Sequence, residues 1–129
     1  MSIAVQVDHD RKRIYSRATG DLTFDELFFH MRHEVGTDAA GYPELFDCTG
    51  AKLNLRATDI KMLAEYRKTI AESHPPAPVA IVAKPEVYLG VFRMFDRLTK
   101  GVRPLEVFFT PSNAESWLDS LEEPSPVAA

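Results

Sequence analysis

The chain is short of most features that advertise chemistry. Its 129 residues include one cysteine, Cys48, so no internal disulfide can brace it. Among its six glycines none builds a phosphate cradle. "GAKLNLRAT" lacks both the P-loop Lys-Ser/Thr pair and the dinucleotide fingerprint, and no Gly-x-Ser-x-Gly elbow occurs anywhere. No apolar run approaches the roughly 20 residues needed to span a bilayer. "MSIAVQVDHDRKR" has no long apolar core of the signal-peptide kind, so the reading is cytoplasmic. Nor is there an excess of positive charge, with 15 Lys and Arg against 19 Asp and Glu. The net charge of −4 argues against a general nucleic-acid binder, which needs a basic surface.

What remains is ordinary for a globular domain: 45% hydrophobic and 26% charged residues. A chain of this length buries about two-thirds of its unfolded surface as a single domain. "IAVQVD" and "KRIYSRATG", joined through "HDR", predict an antiparallel hairpin. Thr23 and Glu26 form a capping box for a first helix, with Phe24, Leu27, Phe28, Met31 and Val35 on one face and an end near Gly36. "ELFDCT" predicts a short strand covered on both faces, closed by the turn at Gly50. Ile60, Leu63, Ala64, Ile70 and Ala71 mark a second helix that stops before "HPPAP". "VAIVA" predicts a central strand, and Pro85 opens a third helix with apolar residues from Val87 to Leu98. "LEVFFT" is the last strand. Ser112 and Glu115 make a second capping box for a fourth helix carrying Ala114, Trp117, Leu118 and Leu121. The alternation predicts an α/β domain over residues 1–121, with a mostly parallel five-stranded sheet, an N-terminal antiparallel hairpin and four helices. Residues 122–129, "EEPSPVAA", read as a disordered tail.

The run "GDLTFDEL", "LFDCTGAKL", "PVAIVAKPEVYLGVFRMFDRL" and "VFFTPSNAESWL" resembles the bacterial SpoIIAA-like proteins, relatives of STAS domains that share fold features with CRAL-TRIO lipid-transfer domains. The resemblance covers residues 18 to 118 and rests on apolar and turn positions. It implies a small module of strand–helix units, non-enzymatic and without a cofactor. In STAS-class anti-sigma-factor antagonists, a strand ending in Asp-x-Ser precedes a helix whose first turn carries a phosphorylated serine. Here Asp47-Cys48-Thr49 matches the strand end, and the acceptor position falls on Ala57, which has no hydroxyl. Thr58 lies one place late, a displacement of about 100° on a helix, so the resemblance implies no intact phosphoswitch.

The remaining chemical candidates read as structural. Cys48 sits late in a strand expected to be buried, where a thiol behaves as a small hydrophobe, and sequence logic places no base beside it. "HMRHE" offers His30, His33 and Glu34, but without the i, i+4 histidine pair of a zincin the expectation is a solvated helix face and no metal. Asp8 and Asp10 suit a hairpin turn rather than a catalytic pair.

One segment stands apart. In "EVYLGVFRMFDRLTKG" the apolar residues of an unbroken helix span an arc of about 160°, wider than a usual core stripe. Tyr88 and Phe92 lie at its edge, with Arg93, Arg97, Lys100 and Arg103 supplying positive charge. Packing beneath neighbouring helices explains this as readily as a homodimer or protein interface, or a pocket for a lipid-like anion. The expected working surface joins Tyr88, Phe92 and Arg93 with Thr49, Thr58 and Asp59, near the carboxyl end of a strand. The first expectation is therefore a non-catalytic STAS-like module acting by protein contact, and the second is a carrier of a small apolar or lipid-like ligand.

Overall fold

The computed structural model describes residues 2–35, 38–74, 77–102 and 104–122, with the backbone alone at Glu34, Val35 and Glu122. The expected helix end at Gly36, the cation Arg103 and the tail 123–129 lie outside the described residues. Strands β1 (Ile3–Asp8) and β2 (Arg13–Leu22) form the antiparallel hairpin. Its turn is held by the Asp8 carboxylate, which accepts the Arg11 N–H at 3.0 Å, and Lys12 takes the left-handed region at φ 54°. Strands β3 (Glu44–Leu53), β4 (Val79–Val82) and β5 (Leu105–Phe108) follow in parallel, in the spatial order β1-β2-β3-β4-β5. The α/β class and the mostly parallel sheet with its N-terminal hairpin are as expected. The middle strand, however, is β3. β4 lies between β3 and β5, with all four of its residues buried.

Helices α1 (Phe24–Val35) and α2 (Ala57–Ser73) are regular. Helix α3 covers residues 85–98 in three pieces: Pro85–Val87, a π turn at Tyr88–Phe92, and Arg93–Leu98. Helix α4 is Pro111–Glu122. Strand alternation sorts them into layers. Phe46 and Cys48 of β3 and Val79 and Ile81 of β4 join Ile60 of α2 and Val91 and Phe92 of α3 in one core, against which Leu27 of α1 packs. Leu45, Ala80 and Val82 point the other way, onto Ala114 and Leu118 of α4. Among the described residues, three helices thus cover one face of the sheet and a single helix covers part of the other.

Two expectations fail here for identifiable reasons. β3 does not stop at the Asp47–Gly50 turn but runs on to Leu53, still paired with β2 after its pairing with β4 has ended at Asp47. The register jumps from Arg17↔Asp47 to Thr19↔Gly50, so β3 carries one extra residue opposite Ala18. This is a β-bulge, and it shifts the buried positions from Phe46 and Cys48 to Ala51 and Leu53. Asp47 holds it: one carboxylate oxygen accepts both the Thr49 N–H at 3.0 Å and the Thr49 hydroxyl at 2.7 Å. The second expected capping box also fails. Thr110, not Ser112, accepts the Asn113 N–H, and Glu115 is taken up by Arg13 on β2.

Candidate functional site

Between the sheet and its three-helix face lies a cavity of about 70 Å³. Its floor is Phe46, Val79 and Ile81, its sides are Leu27 and Met31 of α1 with Ile60 and Leu63 of α2, and its roof is Val91, Phe92 and Phe95 of α3. The roof lies on and just after the π turn, in which the Arg93 N–H reaches back five residues to the Tyr88 carbonyl. Gly90, at the centre of that turn, is a poor helix former, and π turns within helices frequently occur at functional sites.

One end of the cavity is polar. Glu44 is 3% exposed, and its Oε2 accepts the Ser16 hydroxyl at 2.6 Å and the His30 Nε2–H at 2.8 Å. The His30 ring stands edge-on to Phe46, with centroids 5.3 Å apart. Arg67, buried on α2, lines the same space. A carboxylate that receives two short hydrogen bonds in an apolar setting is well compensated for its burial. The arrangement is not a nucleophilic triad. Ser16 gives its hydrogen to the carboxylate rather than to the imidazole, which is not the serine–histidine–carboxylate order of such a triad.

The residues singled out from sequence separate into two groups. Phe92 is 8% exposed and roofs the cavity, and Tyr88 is half-buried against the same core, so of the readings left open for them both pack beneath the helix face. The reason is the π turn, whose extra residue rotates the positions that a uniform helical wheel puts at the edge. Arg93 is exposed, and so is Leu89, at 62%, which the wheel argument overlooked. In the other group, Thr49 belongs to the bulge, Asp59 accepts the Arg56 N–H at 2.9 Å to cap α2, and Thr58 is exposed in the first turn. No hydrogen bond or ion pair among the described residues joins this group to Tyr88, Phe92 or Arg93.

Cys48 is 1% exposed, and its thiol donates to the Val82 carbonyl at 3.2 Å. Burial, and secondly the nearby Asp47 charge, push its pKa up to about 12. The nucleophilic thiolate is therefore scarce at neutral pH. The expectation of a solvated histidine face is half right. His33 is exposed and stacks on Phe29, but His30 is buried on Glu44. His30 follows Leu27 by three residues, about 60° from it around the helix, which places it at the edge of the apolar stripe rather than opposite. Among the described residues no group of three His, Cys, Asp or Glu side chains is arranged to hold a metal.

The polar end of the cavity was legible, though missed. Glu44 shares the two-residue period of Phe46 and Cys48, Ser16 that of Ile14 and Ala18, and Arg67 sits four after Leu63 on the apolar stripe of α2. A charged residue in phase with a core stripe is a signal in itself.

No family model matches the chain, and no curated protein matches it. A crystal structure of an uncharacterized DUF3478-family protein with a SpoIIAA-like fold, from Shewanella loihica PV-4, is similar with a TM-score of 0.57. The likeness covers 91% of this chain and 94% of that one, at 20% identity. Similarity at this level is one of fold, and the chain has a SpoIIAA-like fold. Among the described residues no helix is long and apolar enough to cross a membrane.

Proposed function

We propose that this SpoIIAA-like domain is a non-catalytic binding module that takes a small apolar ligand bearing one polar group into the cavity beneath α3. The observation that carries the reading is the juxtaposition of an apolar chamber with the Ser16–Glu44–His30 cluster at one end. Binding pockets typically combine apolar walls with a few convergent polar groups that fix orientation. The space accommodates about two water-sized groups as it stands. A larger occupant must displace α3, whose π turn makes it the least regular of the three covering helices. Titration with hexanol, followed by methyl NMR, is expected to shift Leu63, Ile81 and Val91 saturably, and Val91→Trp, which fills the space, is expected to abolish the response. Absence of any saturable shift on these methyls contradicts the reading.

A second reading, contact with a protein partner, is favoured by Leu89 at 62% exposure beside the exposed Arg93 on the outer side of α3. Apolar and arginine side chains together suit an interface core.

A further inference from the structure

β1 is an edge strand of the sheet, and among the described residues no strand pairs with its outer side. Edge strands ordinarily carry a lysine, a proline or a bulge that blocks further pairing. The opposite edge, β5, is blunted in this way: it is four residues long, follows Pro104 and bears the exposed Glu106. β1 is not. "IAVQV" has no charge and no proline, and its ladder to β2 runs through six consecutive pairs without a shift.

Its backbone is also set to pair. The Thr19 N–H donates to the Ser2 carbonyl, so even-numbered residues of this strand turn toward β2. Ile3, Val5 and Val7 therefore present their N–H and C=O groups to the free edge. Their side chains line the α1 side of the sheet, where Val5 is 50% and Val7 37% exposed.

We propose that this edge binds a second copy of the chain, β1 against β1 antiparallel about a two-fold axis at Val5, extending the two sheets into one. Centred there, the strand is self-complementary. Val5 meets Val5 of the second copy and Ile3 meets Val7 on one face, while Ala4 meets Gln6 on the other, and Asp8 falls opposite Ser2 rather than another acid.

A second element supports the same axis independently. Phe29 of α1 is 51% exposed and borders the same surface hollow as Val5 and His33. A two-fold axis at Val5 therefore brings the two α1 helices together, antiparallel, near Phe29. α1 has Asp25 and Glu26 in its first turn and Arg32 and His33 in its last. With Phe29 as the centre, Asp25 lies across from His33 of the second copy at each end, whereas Glu26, which accepts the Ser2 hydroxyl, and Arg32, which lies over the Phe28 ring, are engaged within their own chain. A parallel pairing would set like charges together, whereas the antiparallel one matches opposite charges at both ends. The strand and the helix thus specify one symmetric interface of the isologous kind.

The test uses the whole chain. Sedimentation velocity across a dilution series is expected to show a species of twice the 14.5 kDa chain mass. Val5→Lys is expected to give monomer with an unchanged circular dichroism spectrum, and Phe29→Ser to weaken association about tenfold. Hydrogen-bonded antiparallel pairs hold Cα atoms about 5.5 Å apart, within disulfide range, so Val5→Cys is expected to cross-link on mild oxidation. The wild type, whose one thiol is buried, and Lys12→Cys in the hairpin turn are expected not to cross-link. Monomer at every concentration overturns the proposal, as does a dimer that survives Val5→Lys and gives no Val5→Cys cross-link.

Discussion

Replacing Arg13 with alanine is expected to lower the free energy of unfolding by about 3 kcal/mol, at the low end of what breaking a buried ion pair costs. Arg13 is fully buried on β2, and its Nη1 donates at 3.0 Å to Glu115 and lies 3.0 Å from Asp119, both on α4. α4 is the only helix described on its face of the sheet and meets it through a small apolar set, Ala114 and Leu118 chief among them. The arginine therefore ties the first sheet hairpin to the last helix across the domain. The low end applies for two reasons. Glu115 and Asp119 are 31% and 49% exposed and recover some hydration, and Arg11 already stands 3.7 and 3.4 Å from them. Part of the loss is packing, because the arginine stem fills core space. Urea denaturation measures the change. Arg13→Met, which keeps the stem, is expected to lose less, and a loss near the 0–1 kcal/mol of a surface pair would show that Arg13 does not join the two elements.

The second large effect falls on the cavity roof. Phe92→Ala is expected to destabilise the domain by about 3 kcal/mol, the usual cost of truncating a buried phenylalanine. It is also expected to tighten the binding of hexanol or of a larger apolar probe, because the space gained adjoins the existing chamber. Opposite signs for stability and binding separate a roof residue from one that merely supports the fold. Leu89→Ala, three residues earlier but exposed, is expected to change stability by less than about 0.5 kcal/mol. Weaker probe binding in Phe92→Ala would mean that the ring itself is needed to hold the ligand.

Much of the architecture could be read from local chemistry. The hairpin, the parallel strands and the helix positions follow from β-branched runs, prolines and apolar spacing, because each of these acts within a few residues. The errors lie where the decisive partner is distant in sequence. The bulge at Cys48–Thr49 is defined by a register against Ala18 on another strand, so the run beyond Gly50 looked like a loop. The π turn in α3 defeats any uniform wheel, which puts Phe92 at the edge of the apolar arc and gives no sign that Leu89 is exposed. Glu115 resembles a capping residue until Arg13, 102 positions earlier, is brought against it. His30 is a separate case: its spacing from Leu27 already sets it at the edge of the apolar stripe, and only its partner Glu44 lies on a different element. The roof of the candidate site follows from the apolar run of α3, and its polar end from Glu44, Ser16 and Arg67 lying in phase with core stripes, but only tertiary structure brings these residues together.

The most direct measurement is native mass spectrometry of the gently purified chain alongside Val91→Trp. The account predicts an organic adduct on the wild-type protein that disappears when the chamber beneath α3 is filled. A bare wild-type chain that also takes up no added medium-chain alcohol, or an adduct that Val91→Trp leaves untouched, would contradict it.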